Sequence, residues 1–110
     1  MKEIKAFIRP GMLDAVLRAL HEHPDLPGVT VSDVRGFGRV AGRESAGPVG
    51  YGVTEMTKVE CIVDDARAAE VMQLIQQHAS TGRRGDGKIA MHAVDSLVRI
   101  RTGESGEDAV

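Results

Sequence analysis

The run Thr81-Gly82-Arg83-Arg84-Gly85-Asp86-Gly87-Lys88 puts three glycines and three cations into one short segment. Glycine reaches the backbone angles at which successive N–H groups converge on one point, and such a nest holds an anion. Arg83, Arg84 and Lys88 supply the positive charge that a phosphate group attracts. Gly82 to Lys88 imitates a P-loop, but Ile89 stands where Ser or Thr would hold Mg²⁺, and the segment is expected to join a helix to a strand, the reverse of a P-loop. A second candidate is Arg99-Ile100-Arg101-Thr102-Gly103. Arg99 and Arg101 are two apart, so an extended backbone points both the same way, and two guanidinium groups on one side can clamp a polyphosphate. Each segment alone also suits a solvated surface. Together they concentrate five cations in a chain whose formal net charge is −2, which favours an anionic ligand.

Other chemistry finds less to use. His21, His23, His78, His92 and Cys61 are possible metal ligands, but their spacing is weak, so no metal site is expected. His21 and His23 fall at a helix end, where imidazolium suits the dipole. Cys61 is the single cysteine, which reads as a small buried apolar group. No nucleophile–base pair and no close carboxylate pair is tied to a cleft, so no catalytic residue is expected and the protein is read as a binding protein, not an enzyme.

These segments need a scaffold. The chain has 110 residues, the size of one domain, with 42% hydrophobic and 27% charged residues. Its only aromatic residues are Phe7, Phe37 and Tyr51, too few for a stacking platform, and the net charge gives nucleic acid no footprint. A small aliphatic core gives a mild reason to expect an oligomer. No signal-like opening is present, and no apolar run approaches the ~20 residues of a membrane span, so a cytoplasmic protein without membrane insertion is expected.

The alternation of Ile4, Ala6 and Ile8 predicts a strand over 2–8, ended by Pro10-Gly11. Leu13, Val16, Leu17 and Leu20 predict a helix, stopped by Pro24 and Pro27. Val29, Val31 and Val34 begin a second strand reaching about Gly38, and Val59, Cys61 and Val63 mark a third. Asp64-Asp65 can cap a second helix with Ala69, Met72, Ile75 and Leu74 inward. Ile89, Met91 and Ala93 mark a fourth strand, and an acidic tail from about 104 is expected to be mobile. The order βαββαβ predicts an α+β, ferredoxin-like sandwich. Between strands 2 and 3, residues 39–57 lack a sustained period, and a loop of that length reads as a docking element.

Val34-Arg35-Gly36-Phe37-Gly38-Arg39, Thr81-Gly82 with Gly85-Asp86-Gly87-Lys88-Ile89, and Arg99-Ile100-Arg101-Thr102-Gly103-Glu104 resemble signatures of the PII nitrogen-regulatory family. Met1 to Pro10, followed by Leu13-Asp14, is similar too, so the resemblance spans nearly the whole chain. It implies a homotrimer with ATP or ADP, with Mg²⁺, in each cleft between subunits. It also implies a T-loop over about 39–57, a B-loop over 81–88 and a C-loop over 99–103. Thr30, Gly36, Gly38 and Arg39 would line the nucleotide, Gly85, Asp86, Gly87 and Lys88 would surround its phosphates, and Arg99 and Arg101 would come from the neighbouring subunit. Lys58 matches a lysine that helps hold 2-oxoglutarate, and Tyr51 matches a modified tyrosine. Through the T-loop the trimer would control an enzyme or a membrane transporter.

Two departures qualify this. Val40 replaces a glutamine that helps bind metal and oxoacid, so 2-oxoglutarate is expected to bind weakly or not at all. Gly50, Thr54 and Glu55 replace the usual neighbours of Tyr51 and Val53, which suggests a divergent branch. The alternative reading is a metal-responsive or metal-tolerance PII-like module associated with a transport system.

Overall fold

The computed structural model describes residues 1–23, 25, 26, 28–39 and 51–110, without the side chains of Arg39 and Tyr51. Four strands, β1 (Lys2–Ile8), β2 (Thr30–Arg39), β3 (Tyr51–Val63) and β4 (Gly87–Ala93), form one sheet in the order β2-β3-β1-β4. All three pairings are antiparallel. Helices α1 (Leu13–His21) and α2 (Asp65–Ala79) connect β1 to β2 and β3 to β4. This is the ferredoxin-like α+β sandwich that the order of periodic segments predicts.

Strand parity decides the core. Ile4, Ala6 and Ile8 of β1 and Val59, Cys61 and Val63 of β3 share one face and are buried. Val16 and Leu20 of α1 and Ala68, Val71, Ile75 and Ala79 of α2 cover that face, so both helices lie on the same side. Met72 and Ile75 of α2 face the core as expected, but at the first turn Ala68, not Ala69, is inward. Ala68 precedes Val71, Met72, Ile75 and Ala79 at spacings of three and four, which places it on their stripe. Asp64 occupies the N-cap position of α2 but makes no side-chain cap. Its backbone carbonyl instead accepts from Arg67 N at 3.1 Å, while Arg67 Nη2 donates to Asp25 Oδ2 at 2.8 Å.

The main departure from the sequence reading is the length of the β2–β3 ladder. Asp33 to Arg39 pairs residue by residue with Thr57 back to Tyr51, so the stretch 39–57 expected to be irregular is strand at both ends. Gly52 hides this regularity by breaking the side-chain pattern, whereas Tyr51, Val53, Thr54 and Thr57 suit a pleated strand once a partner is available. Residues 40–50, including Val40 and most of the expected T-loop, lie outside the described residues.

The segment after β4 also differs. Residues 97–106 form a hairpin with a Val98–Ser105 bridge, closed by Arg99 N to Glu104 O and Gly103 N to Arg99 O, both 2.8 Å. Arg101 therefore lies in a tight turn that Arg99 opens, not in an extended strand. A 3₁₀ turn over Gly106–Ala109 follows.

Gly87, at the start of β4, leaves no room for a side chain beside β1. Its φ is +103°, and a Cβ there would lie 1.7 Å from the Phe7 carbonyl oxygen. Gly87→Ala is expected to destabilise the chain by more than the ~1–3 kcal/mol of a strained backbone angle alone, because the sheet must also open. Urea unfolding of the variant and wild type measures this.

Candidate functional site

The turn between α2 and β4 is built from inside. The Asp86 carboxylate accepts from Thr81 N at 2.8 Å, from Gly82 N at 3.0 Å, and from the Thr81 hydroxyl. Arg9, immediately after β1, donates from Nε to Asp86 Oδ1 at 2.8 Å and from Nη2 to the Arg84 carbonyl at 2.6 Å. Gly82, Gly85 and Gly87 all have positive φ, as the sequence of the turn required. Arg83, Arg84 and Lys88 are exposed around it. The Thr81 hydroxyl, then the Arg9 guanidinium, hold the Asp86 carboxyl well below the usual carboxylate range.

Beside this turn, Ile8, Gly87, Lys88 and Ile89 line an open cleft of about 580 Å³ with Met72, Gln73 and Gln76 of α2. The register fixes what else lies near. Gly87 pairs with Ile8, which pairs with Thr57, which pairs with Asp33. Gly36 and Gly38 continue beyond that row, at the same end of the sheet as the turn. Lys58 and Lys88 flank Phe7 on the face away from the helices, and Lys58 Nζ lies 3.4 Å from Glu60 Oε1. Tyr51 pairs with Arg39 in the backbone ladder.

The remaining candidates lie elsewhere. Thr30 pairs with Glu60 further along β2–β3, and both line a cavity of about 310 Å³ with Gly28, Leu97 and Val110. Arg99 donates to the Val110 carbonyl at 3.3 Å, and Arg101 is exposed on the adjacent turn. This hairpin follows the far end of β4. Gly87 and Ala93 are separated by about 20 Å at ~3.3 Å per residue. One chain therefore carries two groups: Gly36, Gly38 and residues 85–88 at one end, and Thr30, Arg99 and Arg101 toward the other.

The candidate metal ligands are dispersed. His23 Nε2 is 2.8 Å from Glu70 Oε1, His92 Nε2 is 2.6 Å from Glu3 Oε1, and His78 Nδ1 is 2.9 Å from the Leu74 carbonyl. Burial pushes the Cys61 thiol up to about 11. Among the described residues no three such side chains gather into a metal site.

The family described as Nitrogen regulatory protein P-II matches residues 1–104. The chain belongs to the P-II family. Curated P-II relatives include Nitrogen regulatory protein P-II of Rhodospirillum rubrum, 43% identical over the full length of both chains. P-II 2 of Methanothermobacter thermautotrophicus is 47% identical over this whole chain and 97% of its own. Nitrogen regulatory protein P-II of a Synechocystis strain is 42% identical over both full lengths. Among the described residues of this P-II chain, no helix is long and apolar enough to cross a membrane.

Sequence reasoning missed Arg9 in the site. A strand-terminal arginine before proline carries no local signal for a contact with Asp86, which lies 77 positions away. The depressed Asp86 carboxyl stabilises the fold above the ordinary carboxylate range, and this contribution fades as pH falls toward its folded-state value. Below about pH 4, wild type should therefore lose stability faster than Asp86→Asn. Urea midpoints collected across acidic pH measure the difference.

Proposed function

We propose that this chain is a regulator that binds ATP or ADP between subunits of a homotrimer and controls a partner protein. The observation that carries the reading is the division of the candidate residues between the two ends of the sheet. A cyclic, head-to-tail assembly brings the Arg99–Arg101 turn of one copy to the Gly85–Lys88 turn of the next. Three positive-φ glycines with exposed Lys88, Arg83 and Arg84 suit a polyphosphate. Thr30, Gly36, Gly38 and Arg39 would then line the nucleotide, with Mg²⁺ accompanying its phosphates.

The Asp86 side chain has a narrower role than the resemblance implies. Both its oxygens already accept hydrogen bonds within the turn, so it shapes the phosphate site from behind. The reading is of a regulator and not a catalyst. The family name points to nitrogen metabolism, and the partner, an enzyme or a transporter, would be met through the extended β2–β3 hairpin. Lys58 would remain for an oxoacid, but Val40 lacks the oxygen of an amide, so weak or absent 2-oxoglutarate binding is expected. The metal-tolerance alternative gains nothing from the dispersed histidines.

Calorimetry tests the site. A hydrogen bond to a charged group is worth about 1.5–3 kcal/mol, so Arg101→Ala and Lys88→Ala should each weaken ATP binding roughly 10–150-fold. Unchanged affinity in both variants would remove the assignment. Light scattering at micromolar concentration should report a mass near three chains, and a monomer binding ATP at full affinity contradicts the shared site.

A further inference from the structure

We propose that Arg9 is the positioning residue of the phosphate-binding turn: one guanidinium grips the Arg84 carbonyl and the Asp86 carboxylate and sets the turn before any ligand arrives. The inference rests on the anionic-ligand reading of that turn. Arg9 directly follows Ile8, a buried residue paired on both sides, so its backbone leaves from the end of an interior strand. Pro10 after it begins a short 3₁₀ turn and restricts the chain again. From this fixed base, Nε and Nη2 reach two different residues of the turn at 2.8 and 2.6 Å.

The guanidinium also sits beneath the apex. A Cβ on Gly85 would lie 3.3 Å from Arg9 Nη2, and Gly85 has a φ of +92°. Arg9 thus supports Arg84, Gly85 and Asp86 together, and through Asp86 it reaches the amides of Thr81 and Gly82. A lysine cannot reproduce this, since a single ammonium lacks the planar fork that serves two acceptors in fixed directions. Free of Arg9, the turn around Gly82 and Gly85 would sample more shapes, and a polyphosphate would have to order it on binding.

Two measurements on the intact protein decide the matter. Amide hydrogen exchange without ligand should be at least ~10-fold faster at Thr81 and Gly82 in Arg9→Ala than in wild type, with the β1–β3 amides unchanged. ATP affinity should fall ~10-fold or more while AMP affinity falls less, because the preset turn serves the outer phosphates. Arg9→Lys should recover only part of either loss. If Arg9→Ala does not fold, Arg9→Lys carries both comparisons. Unchanged exchange at Thr81 and Gly82, equal losses for ATP and AMP, or full recovery by lysine overturns the proposal. Wild type that binds no ATP overturns the nucleotide reading instead, and the exchange result still decides whether Arg9 sets the turn.

Discussion

The pairing of β1 on both of its edges is the constraint from which the rest follows. β1 contributes Ile4, Ala6 and Ile8 to the core and holds β3 and β4 in register over Lys2 to Ile8. A slip of one residue would turn those three side chains outward and bring charged ones against the helices. The same register decides that Gly87 lies against the Phe7 carbonyl, where no side chain fits. Glycine at that position is therefore a packing requirement of the sheet.

From this strand the turn inherits its place and its shape. Arg9 extends the order of β1 by one residue and reaches into the turn, while Asp86 closes the turn on Thr81 and Gly82. The acid at the centre of a cationic loop is thus internally neutralised by Arg9, and Arg83, Arg84 and Lys88 remain around the outside. That division explains how a chain of net charge −2 can present a locally cationic surface. The opposite end of the sheet is built on different terms. There the Arg99–Arg101 turn is fixed by backbone hydrogen bonds and by Arg99 reaching the Val110 carbonyl. The two cationic turns thus stand at opposite ends of one sheet, each held by its own contacts.

By itself, the sequence determined the order of elements and the fold class, because periods of two and of three to four residues alternate clearly in Ile4–Ala6–Ile8, Val16–Leu20 and Val59–Cys61–Val63. It also marked the two cationic segments, since glycine and arginine side-chain chemistry is readable locally, but it read Arg99 to Gly103 as extended where the chain turns. It placed Ala69 inward where Ala68 is, and it read the strand from Tyr51 to Thr57 as loop because Gly52 interrupts its pattern. Tertiary structure alone decided three things: that β2 and β3 pair as far as Arg39 and Tyr51, that Arg9 meets Asp86, and that Arg99 and Arg101 lie far from the Gly85–Lys88 turn of their own chain. Each depends on strand register and on contacts between residues distant in sequence. Those are set by the burial of whole faces at once, which no local segment encodes.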